Sequence, residues 1–150
     1  MTEAVAAAET RSFKATPDEI ADIDARIEAA TAGWPVAEDV VFRARVCVAE
    51  IAANVMEHGR AQADWDEITI TLRPLPPALE VEVADTGRPF DPTGRPEPVT
   101  VAGQIPDPLG GRGLRLLRAY ASAMTYRRDG GRNTLTLRVA PAARAPDRVD

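Results

Sequence analysis

The segment on which the rest of the chain depends is Val48-Ala49-Glu50-Ile51-Ala52-Ala53-Asn54-Val55-Met56-Glu57-His58-Gly59. It ends a run, residues 37–58, that contains no Gly or Pro and many good helix formers, which predicts a helix ending near Gly59. Residues four apart stay on nearly one face of a helix, so Glu50, Asn54 and His58 form a polar row. The other side carries an apolar stripe suited to packing against a sheet: Val41, Ala44, Val48, Ile51, Ala52 and Val55.

Glu50 and Asn54 give this polar row its chemistry. A carboxylate and an amide one turn apart, on a helix whose back is buried, suit holding a hydrated divalent cation and orienting a hydroxyl. Polar residues at i and i+4 are also common on the solvated face of an ordinary amphipathic helix. The segment alone favours the ordinary helix, so the functional interpretation depends on the motifs that follow.

Composition and charge limit the class of protein. With 150 residues, 45% apolar and 27% charged, the chain suits one soluble globular domain. The net charge of -5 and the dispersed basic residues disfavour binding to nucleic acid. The single cysteine, Cys47, excludes a disulfide framework and is predicted to be a small buried core residue. No apolar run approaches the roughly 20 residues that cross a membrane, and no signal-peptide pattern precedes the domain, which favours a cytoplasmic protein.

The predicted elements suggest helices and a largely antiparallel sheet. Thr16 followed by Pro17 is a helix-start signal, and alternating β-branched residues indicate strands. A Pro-rich connector at 74–77 and the sequence Asp129-Gly130-Gly131 are typical of hairpin turns. Both termini, 1–10 and 140–150, are predicted to be loose. In order, the elements are a strand at 11–15, a helix at 17–32, the central helix, strands at 67–73 and 79–84, a helix at 114–124, and strands at 124–127 and 133–139.

Residues 92–113 differ from the rest of the chain, because Pro and Gly recur throughout them. Long connections of this kind inside a compact domain are often lids or binding loops, although a linker between two domains has the same composition. Too little chain follows to build a second domain. The segment is therefore predicted to be a lid.

Two glycine-containing motifs carry candidate binding chemistry. Asp85 ends a predicted strand, and its carboxylate suits an exocyclic amine such as that of adenine, while Gly87 would let a flat ring approach the backbone. The same Asp-x-Gly pattern is common in simple turns. Gly110-Gly111-Arg112-Gly113 opens a helix, where free N–H groups attract phosphate, and a flexible hinge is the alternative. It matches neither the P-loop nor the dinucleotide-binding fingerprint.

The order and spacing of these motifs resemble the Bergerat-fold (GHKL) ATP-binding superfamily, in particular its small anti-sigma-factor serine/threonine kinase branch. Glu50-x-x-x-Asn54-x-x-x-His58 is similar to the N box of that family. Asp85-Thr86-Gly87-Arg88-Pro89-Phe90-Asp91-Pro92 resembles its adenine-binding G1 box, and Gly110-Gly111-Arg112-Gly113-Leu114-Arg115-Leu116-Leu117 resembles its G2 box. Asn133-Thr134-Leu135-Thr136-Leu137 stands where the family's last strand carries a Thr near adenine. The resemblance covers about residues 11–139.

The resemblance implies an α/β (α+β) two-layer sandwich, with a mixed, mainly antiparallel sheet covered on one face by helices. The whole of 1–150 would be one histidine-kinase-like ATPase domain, with a core at 11–139, an ATP lid at 92–113 and a tail at 140–150. Glu50 would be the catalytic residue that orients or deprotonates a hydroxyl, and Asn54 would bind Mg²⁺. The other residues implied in ATP binding are Asp85, Gly87, Phe90 and Thr134 around adenine, and Gly110, Gly111, Arg112, Gly113 and Leu114 around the phosphates.

The function implied is that of an ATP- and Mg²⁺-dependent protein kinase. Its substrate would be a serine or threonine on a STAS-type anti-anti-sigma protein, and the same protein would sequester a sigma factor and form a homodimer. Two alternatives remain at this point. One is a nucleotide-dependent binding module with little kinase activity, and the other is a detached catalytic domain of a histidine kinase, which would give an acid-labile product.

Overall fold

The computed structural model describes residues 8–14, 16–59, 67–87 and 112–142. Five strands and three helices form two layers, which confirms the predicted α+β sandwich. The predicted lid lies outside the described residues except at its last two positions. The elements are β1 Glu9–Lys14, α1 Pro17–Thr31, α2 Glu38–Gly59, β2 Glu67–Leu75, β3 Ala78–Asp85, α3 Arg112–Tyr120, β4 Ala123–Asp129 and β5 Arg132–Val139.

The sheet has the strand order β1-β2-β3-β5-β4, and every pairing between the described strands is antiparallel. The strands β2 and β3 form one hairpin, and β4 and β5 form another. The central pairing, between β3 and β5, joins Leu79 to Val139 at one end and Asp85 to Asn133 at the other. This register brings the end of β3 beside the start of β5.

The core lies between one face of the sheet and the three helices. Alternate residues of each strand point to opposite faces, so every second residue of the central strands faces the helices. Opposite these lie Ile23 and Ile27 of α1 and Leu117 of α3. The predicted stripe of α2 is correct except at Val41, which is not in the core; the α2 residues that are buried there are Val40, Ala44, Cys47, Val48, Ile51 and Ala52. The sheet residues of the core are Ile68, Ile70, Leu72, Leu79, Val81, Val83, Leu135, Leu137 and Val139.

The other face of the sheet is polar. Its side chains include hydroxyl pairs between β1 and β2, with Thr10 Oγ1 3.1 Å from Thr71 Oγ1 and Ser12 Oγ 3.1 Å from Thr69 Oγ1. The alternation of apolar and polar residues that predicted the strands therefore reflects two faces with different surroundings. No helix in the described part of the chain is long and apolar enough to span a bilayer.

Local signals fix most element ends. Thr16 caps α1 by accepting a hydrogen bond from the Glu19 N–H, and Pro17 occupies the first helical position, as predicted. Beyond the helix end, Gly33 has a positive φ of 83°. At the β4–β5 turn, Gly130 and Gly131 have φ values of 57° and 76°, the combination that a two-residue hairpin turn with two positive φ angles requires.

Several predicted boundaries are wrong: β2 continues to Leu75, inside the predicted connector, and β4 covers Ala123–Asp129 instead of 124–127. Two further boundaries differ for a clear reason. The helix predicted at 114–124 ends at Tyr120, because Ser122 N–H donates to the Arg138 carbonyl (2.7 Å) and the following residues join the sheet as β4. The N-terminal strand starts earlier than predicted, since Glu9 and Thr10 pair with Leu72 and Thr71. In both places, hydrogen bonds to a distant strand override what the local sequence favours.

Candidate functional site

Asp85 is the last residue of β3, and its carboxylate is held on one oxygen. Asp85 Oδ1 accepts hydrogen bonds from Gly87 N–H (2.9 Å) and from Asn133 Nδ2 (3.0 Å). No donor in the described part of the chain reaches Oδ2. The carboxylate is half-buried and accepts only, so Oδ2 is the oxygen that remains to receive a donor from a ligand.

Asn133, opposite Asp85 at the start of β5, is buried and joins the β4–β5 hairpin to this carboxylate. Its Oδ1 accepts from Arg128 Nη1 (2.9 Å) and from the Tyr126 hydroxyl. Arg128 Nη1 also donates to the Gly87 carbonyl (2.9 Å). We call these five residues, Asp85, Gly87, Tyr126, Arg128 and Asn133, the carboxylate network.

The residue of β5 that contacts Asp85 is therefore Asn133, and Thr134 lies on the opposite face. Thr134 pairs with Ala84 and Arg127 and shares the parity of the strand's outward-facing residues. Its role in ATP binding stays a prediction. One sequence signal points to Asn133: it has the same parity as Leu135 and Leu137, so it is a polar residue on an otherwise apolar strand face.

Glu50 and Asn54 lie one turn apart on α2, and both are half-buried. The opposite side of the helix is packed into the core through Val48, Ile51 and Ala52. The predicted polar row is thus carried on a helix with a buried back. The side chain of His58, the third member of that row, lies outside the described residues.

Two arginines of α2 fix the helix to the rest of the molecule. Arg45 makes a bidentate contact with Asp24 of α1, at 2.8 and 2.6 Å, and this hydrogen bonding lowers the pKa of Asp24 against the raising effect of burial. Arg43 Nη2 donates to the Ala140 carbonyl (2.6 Å), immediately after β5. The first turns of α2 therefore lie at the sheet end opposite Asp85.

The polar row follows Arg43 along the helix. Glu50 and Asn54 lie roughly 10 and 16 Å further along the axis, at 1.5 Å per residue. Along β3, Asp85 lies about 20 Å from Leu79, the residue paired with the end of β5. The helix thus carries Glu50 and Asn54 away from the sheet end that holds Ala140.

The phosphate-binding prediction falls mostly outside the described residues. Phe90, Gly110 and Gly111 belong to the part that the structure does not describe. Arg112, Gly113 and Leu114 form the first turn of α3, which is the element predicted to begin there. The helix is packed into the core through Leu117. For all six of these residues, the role in nucleotide binding stays a prediction.

Comparison with known proteins identifies relatives over most of the chain. Residues 13–139 match the family model described as the histidine kinase-like ATPase domain. The serine/threonine-protein kinase BtrW of Bordetella bronchiseptica is 32% identical over 96 residues, which are 64% of this chain and 68% of that protein.

Solved structures share the fold at low sequence identity. The structure of the RsbU and RsbW domains of Rv1364c from Mycobacterium tuberculosis aligns with a TM-score of 0.60 and 16% identity, over 89% of this chain and 32% of that one. The histidine kinase domain of the blue-light activated histidine kinase EL346 from Erythrobacter litoralis aligns with a TM-score of 0.50 and 15% identity, over 81% and 59%. The chain thus spans less than two thirds of either solved chain.

Proposed function

Because this chain belongs to the histidine kinase-like ATPase domain family, we propose that it binds ATP with Mg²⁺ and phosphorylates a serine or threonine of a partner protein. The structural observation that carries the proposal is the Asp85 carboxylate, with Oδ1 held by two donors and Oδ2 left to accept the exocyclic amine of adenine. Similarity to the serine/threonine-protein kinase BtrW supports the choice of reaction.

The nucleotide would lie between the end of β3 and the polar row of α2. Asp85 and Gly87 would bind adenine, together with Phe90. Gly110, Gly111, Arg112, Gly113 and Leu114 would bind the phosphates from the segment that leads into α3, with backbone N–H groups at the helix N-terminus as donors. The position of Glu50 and Asn54 beyond Arg43 on α2 supports one continuous pocket.

Asn54 fits a Mg²⁺ ion that arrives with the nucleotide. Its amide oxygen is a hard ligand on the half-buried face of α2, and Mg²⁺ accepts few protein ligands when phosphates and water complete its shell. Across residues 8–14, 16–59, 67–87 and 112–142, no three acidic, His or Cys side chains cluster, so the site would depend on the nucleotide. When bound, Mg²⁺ supplies neutralisation of phosphate charge.

Glu50 would orient the incoming hydroxyl and accept its proton as the new oxygen–phosphorus bond forms and ADP leaves. Positioning and charge neutralisation account for most catalysis of phosphoryl transfer, so one carboxylate beside the phosphate site is a sufficient base. A protein that only binds nucleotide has no need of a carboxylate at this position.

The partners in this proposal are regulators of transcription. The substrate would be a STAS-domain anti-anti-sigma protein, and the unphosphorylated partner would compete with a sigma factor for the chain, which would act in the cytoplasm as a homodimer. Analytical ultracentrifugation of the chain, alone and with each partner, tests the dimer and both complexes.

Radiolabel transfer from [γ-³²P]ATP to a candidate STAS-domain protein tests the reaction. We expect an acid-stable phosphoprotein, and we expect Glu50→Gln to reduce the rate by about 100-fold or more while nucleotide affinity is kept. Asn54→Ala should weaken Mg²⁺-dependent ATP binding. Glu38→Gln, in the exposed first turn of the same helix, is the matched control and should leave transfer unchanged.

Each contrary result removes a defined part of the proposal. Failure to bind ATP·Mg²⁺ removes the whole of it, and unchanged transfer by Glu50→Gln removes the role of that residue. Binding without transfer to any antagonist favours the nucleotide-dependent binding module. An acid-labile product on a His of the partner favours the histidine kinase alternative.

A further inference from the structure

We propose that Asn133 is a positioning residue that makes Asp85 selective for a 6-aminopurine, and that Tyr126 and Arg128 hold Asn133 in the orientation this requires. The inference rests on the proposed ATP site and concerns how that site chooses its base. It assigns a role to Tyr126 and Arg128, which lie outside the motifs predicted to bind nucleotide, and to Asn133, which begins the last-strand motif but was given no role there.

The orientation of the Asn133 amide is fixed by the chemistry of its neighbours. Arg128 can only donate hydrogen bonds, so the atom of Asn133 that faces Arg128 Nη1 at 2.9 Å must be the oxygen. The nitrogen then faces the Asp85 carboxylate and donates a hydrogen bond to its Oδ1 at 3.0 Å. Rotating the amide by 180° would oppose donor to donor at Arg128 and acceptor to acceptor at Asp85, and in the observed orientation the Tyr126 hydroxyl also donates to the amide oxygen.

This orientation determines what Asp85 can offer a base. Two donors, Gly87 N–H and Asn133 Nδ2, converge on Oδ1 and stop the carboxylate from rotating. Oδ2 is then an acceptor held in one place. A 6-amino group donates to it, whereas the 6-keto oxygen of inosine or guanine presents an acceptor to an acceptor, leaving both unsatisfied.

The β4–β5 hairpin also fixes the position of Gly87, two residues after Asp85. Arg128 Nη1 bridges the Asn133 amide oxygen and the Gly87 carbonyl, with 2.9 Å to each. Asn133 itself is 5% exposed, so its hydrogen bonds are protected from competition with water. The two groups proposed to contact the base are therefore positioned by one network that is centred on the buried Asn133 and joins neighbouring strands.

Affinities for Mg·ATP and Mg·ITP, measured by titration calorimetry, test this inference because the two nucleotides differ only in the substituent at C6 and in the N1 proton that accompanies the keto form. We expect wild-type protein to prefer ATP by about 10- to 100-fold, the range for a hydrogen bond to a charged group. Asn133→Leu, which keeps the branching and the number of side-chain heavy atoms but has no polar atoms, should reduce the ratio about tenfold through weaker ATP binding.

Two further variants separate positioning from folding. Tyr126→Phe removes one hydroxyl that fixes the amide and keeps the ring, so we expect the ATP:ITP ratio to fall several-fold with little loss of stability. Thr136→Val, on the same strand as Asn133 but on the opposite strand face, is the matched control and should keep the wild-type ratio. Urea unfolding of each variant reports whether the fold is intact.

A purely structural role for Asn133 would weaken both nucleotides equally, and an unchanged ratio in Asn133→Leu overturns the inference while the proposed function stands. Should Asn133→Leu not fold, an unchanged ratio in Tyr126→Phe overturns it instead. Equal wild-type affinity for ATP and ITP also overturns it. Wild-type protein that binds neither nucleotide overturns the proposed function itself, so the two failures are distinguishable.

Discussion

The thiol of Cys47 has no access to solvent, and burial raises its pKa to about 12. An unfolded thiol titrates near 8.5, so above that pH the unfolded chain releases a proton that the folded chain keeps, and stability falls as pH rises. Between pH 7 and pH 10, we expect the titration of this thiol to lower the unfolding free energy by about 1–2 kcal/mol. Urea unfolding at both pH values measures it.

The control for this prediction is Cys47→Ala, which lacks the titrating group and keeps every other ionisable residue. It should be less stable than wild type at pH 7, because a buried sulfur is lost, and the difference should shrink or reverse by pH 10. A stability difference that is the same at both pH values would contradict the prediction.

Sequence could predict Asp85 but not its surroundings. The carboxylate at a strand end and the glycine two residues on are visible as a local motif, and the structure brings them together. Asn133 is 48 positions away, and its contact depends on the register of β5 against β3, which no local pattern specifies. A shift of one residue in that register would have put Thr134 beside Asp85.

Helices α1 and α2 are joined by the bidentate contact of Arg45 with Asp24, and the lowered pKa of Asp24 makes this contact depend on pH. A depressed pKa means that the stabilisation is present above the unfolded value and is lost as pH falls through the folded value. At pH 7, a double-mutant cycle with Asp24→Asn and Arg45→Met should give a coupling energy of about 0.5–1 kcal/mol, since both side chains are partly exposed.

The coupling in the same cycle should fall towards zero as the pH is lowered through the folded pKa of Asp24, because the carboxylate is then protonated. Arg26 and Asp22 offer a matched pair within α1, with a single 3.2 Å contact between two side chains that are each about half exposed. We expect a coupling of about 0.3–0.5 kcal/mol there. A coupling for Arg45 and Asp24 that is no larger than this control, or that persists in acid, would contradict the prediction.

Elements with strong local signals matched their predictions, and those whose ends depend on distant strands did not. The ends of α1 and α2 are marked by local sequence signals, namely the Thr16 cap and the run without Gly or Pro, so the sequence predicts them to within a residue or two. The end of α3 and the start of β1 depend on hydrogen bonds to Arg138 and to β2. Those partners lie 16 residues or more away, beyond the reach of a periodicity argument.

The two-layer architecture was predicted from the combined order of motifs through the family resemblance, and the structure confirms it. Periodicity separates helices from strands, but it does not reveal that β3 has β5 as its neighbour, with α3 and β4 between them in sequence. That crossover places the β4–β5 hairpin beside the end of β3. The candidate site is therefore a product of the sheet order as much as of the motifs.

The proposed nucleotide site takes residues from both layers and would therefore link ligand binding to the stability of the whole molecule. A ligand that binds only the folded state at 100 times its dissociation constant adds about 2.7 kcal/mol to the unfolding free energy. For a domain of this size, Mg·ATP should therefore raise the melting temperature by about 5–11 °C. Differential scanning fluorimetry over a range of nucleotide concentrations measures the shift.

The pattern of loss among variants distinguishes this linkage from a general effect of salt or nucleotide. Asp85→Asn replaces the carboxylate with an amide, whose NH2 group can oppose the amino group of adenine, so this variant should lose most of the shift. In the wild-type protein, chelating Mg²⁺ should reduce the shift. Glu50→Gln should keep the full shift, because Glu50 is proposed to contact the acceptor hydroxyl and not the nucleotide. An equal shift in Asp85→Asn and wild type would mean that the nucleotide binds away from the end of β3.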